Sequence, residues 1–333
     1  MADRFHPLSM EQLCGWIFGE LARDQSIFGI PRELFFTPRA DDRFRRTVYG
    51  HLLETPFGVA AGPHTQLAQN IVAAWLCGAR FIELKTVQTL DELQVPRPCI
   101  DMQDAGYNVE WSQELKVDQS IAEYQRAWVL IHALHRHLGF PGERPGVIFN
   151  LSVGYNLAGL KQPNLQRFLA AMRDAGPALD PLIEAVARWV PEARELAIPR
   201  RLSDNVTLST MHGCPPAEIG LLATYLMETQ GLHTAVKLNP TLLGPETVRD
   251  LLNRRLGYTD IHVPDAAFAH DLKYPDAVRL LRELQLQAER CGVSFGVKLS
   301  NTLEVVNHRA VFPATEKMMY LSGRPLHPLT VQL

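Results

Sequence analysis

Residues 57–86 read FGVAAGPHTQLAQNIVAAWLCGARFIELKT. Phe57–Ala61 is a short apolar run, Leu67–Leu76 has a helical pattern, and Arg80–Thr86 is a second short run. Two apolar runs joined by a helix-length connection predict parallel strands with a crossover helix. The same alternation continues down the chain. Further strands are predicted at Val147–Ser152, Val206–Ser209, Ala235–Leu238 and Phe295–Leu299, with a weaker one at Thr259–Val263. Helical patterns fall at Ser120–Leu138, Asn164–Asp174, Leu182–Arg194, Pro216–Thr229, Pro245–Leu256 and Pro275–Cys291. The strand runs read as apolar throughout, as expected for strands covered on both faces.

Two architectures fit: an open doubly wound sheet and a (β/α)8 barrel. A dinucleotide-binding sheet would carry GxGxxG after its first strand, whereas the first turn is AAGPHTQ. Polar residues recur just after the strands instead: Gly62-Pro63-His64-Thr65, Lys85-Thr86, Asn150, Ser209-Thr210, Lys237 to Asn239, and Ser300-Asn301-Thr302. Strands that all contribute to one site at their C-terminal ends are the habit of the TIM barrel. The predicted organisation is an N-terminal extension over 1–54, packed on an incomplete α/β barrel over 55–333. Ser9, with Gln12 three residues on, is a plausible helix start. Six firm strands and a weak one fall short of eight, so the barrel reads as truncated before strands seven and eight.

Composition narrows the class. Thirty-three basic and 36 acidic residues give a net charge of −3, which argues against general nucleic-acid binding. The five cysteines (14, 77, 99, 214, 291) are scattered without CxxC or metal-type spacing. His135 and His137 lie two apart in a helical pattern and face different ways; no metal site is expected. No run of 18 apolar residues and no secretory leader is present, so a cytoplasmic protein that does not span a membrane is expected.

Only seven of the 33 basic residues are lysines, and Lys85, Lys237 and Lys298 sit within the short runs RFIELKTV, TAVKLNP and FGVKLSN. Lysine is rarely buried unless paired or functional. The alternative is that they snorkel from the strand ends, the reading favoured for Lys298. Ala60-Ala61-Gly62 places three small residues after the first strand, where a flat ring could approach the backbone. Thr65 and Gln66 are read as caps of the helix that follows. Asn108 in DAGYNVEWS is read as a loop residue. Asparagine amides at Asn108, Asn150, Asn156, Asn239 and Asn301 offer donors and acceptors suited to the edge of a pyrimidine or purine.

The segments TPFGVAAGPHTQLAQN, RFIELKTV, FNLSVGYN, TLSTMHGCPP, VKLNPTLLG, GVKLSNTL and MYLSGRPLHPL follow one another in this order. Together they resemble the flavin barrel of dihydroorotate dehydrogenases and of dihydropyrimidine dehydrogenase. SIFGIP, AAGPHTQLAQN, STMHGCPP and VKLNPTLLG resemble most closely the N-terminal barrel of the selenate reductase subunit family. The resemblance runs from about residue 9 to the last residue.

The resemblance implies an FMN-dependent oxidoreductase acting on a flat N-heterocycle. Ala60, Ala61, Gly62, Lys85, Thr86, Asn150, Lys237, Asn301 and Thr302 would bind the flavin. Asn108, Asn156 and Asn239 would bind substrate. Cys214 would exchange the proton opposite flavin N5, with Ser209, Thr210 and His212 as fallbacks. The flavin phosphate loops are expected beyond residue 333, so weak or absent FMN binding by this chain alone is expected. Iron–sulfur (4Fe-4S), FAD and NADPH sites would belong to the remainder or to a partner subunit. The competing expectation is a truncated, non-catalytic assembly fragment that binds no flavin.

Overall fold

The computed structural model describes residues 5–91, 98–109, 113–209 and 212–333. Ten strands build the two larger sheets: β1 (Gly58–Val59), β2 (Phe81–Glu83), β3 (Ile100–Met102), β4 (Ala105–Asn108), β5 (Ile148–Val153), β6 (Asn205–Ser209), β7 (His233–Leu238), β8 (Phe295–Leu299), β9 (Leu303–Val306) and β10 (Met318–Gly323). The main sheet is parallel, in the order β1-β2-β5-β6-β7-β8. All six firm strand predictions fall on it. Thr259–Val263 forms no strand.

The runs alternate, which corrects the expectation of uniform apolarity. Along β5 and β6, Phe149, Leu151, Val206 and Leu208 enter the main apolar core. Between them Asn150, Ser152, Asn205 and Thr207 face the opposite way and are also buried. Successive side chains on a strand point to opposite faces, so the sheet has an apolar outer face and a polar inner one. The outer face is covered by α2 (Ala68–Leu76), α3 (Val117–His137), α4 (Pro163–Arg173), α6 (Pro216–Glu228) and α7 (Tyr274–Cys291), whose buried side chains join the same core. The ring of Trp128 from α3 lies 5.0 Å from that of Phe149.

The inner face shows how strongly the sheet curls. β2 and β8 stand four strand spacings apart, about 19 Å if the sheet were flat. Yet Lys298 of β8 forms an ion pair with Glu83 of β2. The curl is that of a barrel wall, and it makes the inner face the lining of an interior.

The N-terminal segment shares this core. Ser9 and Gln12 form a reciprocal capping box at the start of α1 (Met10–Asp24). Leu13, Ile17 and Leu21 recur at helical spacing and are buried, and α1 packs on α5 (Asp180–Ala187). SIFGIP forms a hairpin whose Phe28 and Gly29 both have positive φ. Glu20 holds that turn, accepting hydrogen bonds from Phe28 N at 3.0 Å and Gly29 N at 2.7 Å.

The second large sheet, which no strand expectation anticipated, is antiparallel in the order β9-β10-β4-β3. It has its own apolar core, including Tyr107, Val305, Met319 and Leu321. Asn108 therefore lies at the end of a strand, not in a loop. After β10 the chain enters α8 (Leu326–Gln332).

Candidate active site

Strand register decides which charges meet. Glu83 pairs with Asn150, Ser209 with Lys237, and Lys237 with Lys298. Two lysines therefore stand side by side on adjacent strands, an unfavourable placement without a counter-charge. Lys85 follows two residues after Glu83 and is also buried. Among the described residues, Glu83 is the carboxylate all three lysines share. It also accepts a hydrogen bond from Ala61 N at 2.8 Å. Its other oxygen, Oε1, has no partner among the described residues.

The charges respond to this crowding. Burial pushes Lys237 down to about 7; Lys298 and Lys85 lower it further, and Glu83 opposes. Burial likewise brings Lys85 to about 8. Burial disfavours the Glu83 carboxylate, but Lys298 and Lys237 outweigh it and hold its pKa below the usual range. The centre carries a surplus of positive charge at neutral pH.

Lys85, Lys237 and Lys298 border a cavity of about 270 Å³, near the lower edge of small-molecule sites. The parallel sheet supplies Ala60, Ala61, Gly62, Lys85, Thr86, Ser209, Lys237 and Lys298 to its wall. The antiparallel sheet supplies Ile100, Met102, Tyr107, Asn108, Tyr320 and Ser322. His212, Asn301 and Thr302 complete the lining used below. Gly154 lets β5 and β6 approach here: a Cβ on it would lie 2.6 Å from Ser209 O.

Nine of the thirteen sequence-predicted site residues line this cavity: Ala60, Ala61, Gly62, Lys85, Thr86, Asn108, Lys237, Asn301 and Thr302. Four do not. Asn150 is buried beneath it, donating to Asn205 Oδ1 at 2.7 Å and accepting from Thr207 Oγ1 at 2.6 Å. Asn156 caps the short helix Leu157–Leu160 by accepting from Gly159 N at 2.8 Å. Asn239 donates to Asp271 Oδ2 at 3.0 Å and accepts from Asn301 Nδ2 at 3.0 Å, so both ends of its amide are engaged. Cys214 precedes α6, half-buried, and burial raises its thiol to about 11. Of its fallbacks, Ser209 and His212 line the cavity, and Thr210 lies outside the described residues.

Thr65 and Gln66 do not cap α2. Thr65 closes its own turn with Gly62 O, and Gln66 accepts from Glu114 N at 2.8 Å. The first amide of α2, Ala68 N, is met by Glu123 Oε2 of α3 at 2.6 Å.

The profile of the family described as "Oxidoreductase YgfK, N-terminal TIM-barrel domain" matches residues 28–333. The chain belongs to this family. It is 43% identical over 352 aligned positions to a protein of Escherichia coli strain K12 whose name, oxidoreductase YgfK, is itself provisional. The identity to the E. coli O157:H7 protein is the same. The alignment covers 100% of this chain and 34% of each relative, so the chain spans about a third of their length. Among solved structures, the ligand-free type DHODH from Eimeria tenella is similar at a TM-score of 0.41 and 15% identity, over 87% of this chain and 83% of that one. A likeness at that score carries no weight below. Among the described residues, no helix is long and apolar enough to cross a membrane.

Sequence reasoning missed part of this YgfK-family site. Lys298, read as a snorkelling lysine, is an ion-pair partner inside the cavity. Glu83 had a visible signal: it sits two residues before Lys85 and shares its strand face. Tyr320 and Ser322 lie in the MYLSGRPLHPL segment on which the family resemblance drew, though neither was singled out; Tyr107 had no such signal, because it arrives on the antiparallel sheet. Asp271 had none either; it reaches the site from a loop following Asp265–His270.

Proposed function

We propose that this YgfK-family barrel is the flavin site of a larger oxidoreductase acting on a flat N-heterocycle of pyrimidine or purine type. The observation that carries it is three lysines, Lys85 buried and Lys237 and Lys298 partly so, gathered round one shared carboxylate at the wall of a ligand-sized cavity. A surplus of buried positive charge is unfavourable unless an anion or electron-rich edge answers it. The N1–O2 edge of a reduced flavin is such an edge, and a fixed cation beside it stabilises the anionic ring.

The residues present fit that group. Lys237, Lys298 and Lys85 supply the cations, Thr86 and Thr302 supply hydroxyls, and Ala60-Ala61-Gly62 leave room for a planar ring. When bound, the flavin supplies two-electron hydride chemistry. The chain's own residues bound the occupant: Asn108 and Asn301 line the cavity, while Tyr107 and Tyr320 come in from the antiparallel sheet. Asn150 and Thr207 brace the floor from below. Iron–sulfur, FAD and NADPH sites in the rest of the longer polypeptide, or on a partner subunit, would carry electrons to and from this site.

The test is to purify the full-length polypeptide and measure its flavin content by absorbance, then repeat with Lys237→Met. Expected are one FMN per barrel and a loss of at least tenfold in FMN affinity in the variant. A full-length protein that is colourless and takes up no FMN overturns the proposal.

A further inference from the structure

His212 follows β6 and Asp271 follows the short helix Asp265–His270, yet their side chains meet, Nδ1 to Oδ2, at 3.4 Å. They are 8% and 1% exposed. Asp271 is a hub of donors. It accepts from Gly213 N at 2.8 Å, Thr241 Oγ1 at 2.7 Å and Asn239 Nδ2 at 3.0 Å as well as from His212. Burial works against its charge, but the bonds from His212, Thr241 and Gly213 outweigh that and hold it down at about 2. Asp271 is therefore a fixed anion.

His212 Nδ1 lies between two groups, Asp271 Oδ2, which accepts, at 3.4 Å and Asn239 Nδ2, which donates, at 3.3 Å. Asn239 Nδ2 is already met by Asp271 at 3.0 Å and the ionised carboxylate is the stronger partner, which places the proton of a neutral His212 on Nδ1, facing Asp271. Nε2 is then the nitrogen free to gain or lose a proton. It is buried and has no hydrogen-bond partner among the described residues. A buried nitrogen left unpaired is unfavourable, and here its ring borders the cavity, 5.2 Å from the ring of Tyr320.

We propose that His212 is the group that exchanges a proton with the cavity's occupant, and that Asp271 is its positioning residue. The proposal rests on the oxidoreductase reading above and names the proton carrier within it. In the reducing direction, a C=C or C=N bond of the substrate gains a hydride, with its electron pair, from the reduced flavin at one atom. The other atom takes a proton from Nε2 of the His212 imidazolium, which is left as neutral imidazole and is recharged from water. Oxidation runs the same transfers backwards. The Asn301–Asn239–Asp271 chain of hydrogen bonds ties the cavity wall to the histidine, which gives Asn239 a role without substrate contact.

His270 is the other histidine beside Asp271. Its Nε2 lies 3.9 Å from Asp271 Oδ1 and 3.5 Å from Glu304 Oε2, so it competes for the Asp271 charge from the far side. The test must separate the two histidines.

Nitrogen-15 NMR of the imidazoles in this chain reads the tautomer and titration of His212 directly, with His270→Gln as the assignment control. Expected are an Nδ1–H tautomer in the neutral form and a His212 midpoint at least one pH unit lower in Asp271→Asn, a tenfold loss of proton affinity. An Nε2–H tautomer or an unmoved midpoint in a folded Asp271→Asn overturns the proposal. If Asp271→Asn does not fold, the wild-type tautomer decides. None of these readouts needs flavin, so failure of the dyad is distinguishable from failure of the flavin reading.

Discussion

Arg80 and Lys85 stand five residues apart on one stretch of chain, at opposite ends of β2, and both are buried cations. At the N-terminal end, Arg80 is answered one for one. It forms an ion pair with Glu54 and donates to Trp75 O at 2.7 Å and Ala79 O at 3.1 Å. Its guanidinium carbon lies 5.2 Å from the ring centres of Phe36 and Trp75, and Glu54 also accepts from Gly146 N at 3.0 Å. At the C-terminal end, Lys85, Lys237 and Lys298 share Glu83. The first arrangement matches charge for charge and holds the N-terminal segment to the barrel, although Arg80 Nη2 has no hydrogen-bond partner among the described residues. The second is unbalanced, with three lysines on one carboxylate and a histidine beside the cavity whose Nε2 is unpartnered among the described residues. Burial alone therefore does not distinguish a structural charge from a functional one; the balance of charges and partners does.

The matched end gives the largest expected effect. Glu54→Ala strands a buried guanidinium and should destabilise the fold by about 3–5 kcal/mol, read by urea unfolding. A loss below about 1 kcal/mol would mean that Arg80 is not held as described. At the unbalanced end, Glu83→Gln should be milder, about 1–3 kcal/mol. Lysines there can shed protons, and Lys298 is 24% exposed. If Glu83→Gln proves as damaging as Glu54→Ala, the contrast between the ends collapses.

A pH series sharpens the contrast further. Lys237 and Lys85 sit at about 7 and about 8 when folded, below the ordinary 10.5. Between those values and 10.5 the unfolded chain binds more protons than the folded one, so these groups make stability rise with pH. Below pH 7 both states are protonated and the penalty of burying the charges is present in full. Each lysine contributes at most about 1.4 kcal/mol per pH unit. Lys237→Met should raise stability at pH 7 and flatten the slope between pH 7 and 8.5, measured by urea unfolding. An unchanged slope would mean that Lys237 is not buried as a strained cation.

Much of the fold was legible because parallel strands and crossover helices leave local patterns, and all six firm strands fall where apolar runs and turns placed them. The alternation in FNLSV and NVTLS was legible too, as polar residues at every second position, but it was read as continuous apolar sequence. The antiparallel sheet escaped because its strands come from 100–108 and 303–323, and nothing local announces a pairing across some two hundred residues. The site divides the same way. Residues at or just after the C-terminal ends of strands, such as Lys85, Lys237 and Asn301, were placed beside the cavity by position. Asp271 was not, because its place depends on tertiary packing.

The smallest expected effect concerns Cys214. Its half-buried thiol, raised to about 11, holds its proton more tightly than an acid working near neutrality should, and it does not line the cavity. In the full-length enzyme, assayed with uracil and xanthine as representative heterocycles, Cys214→Ala should lower turnover by less than tenfold. His212→Gln should lower it by about 10²–10⁴ with flavin content intact. The reverse order would return the proton to Cys214, and would show that the unbalanced end of the barrel rearranges when it is filled. The order of these two variants thus reports whether the imbalance at the strand ends is already the working geometry.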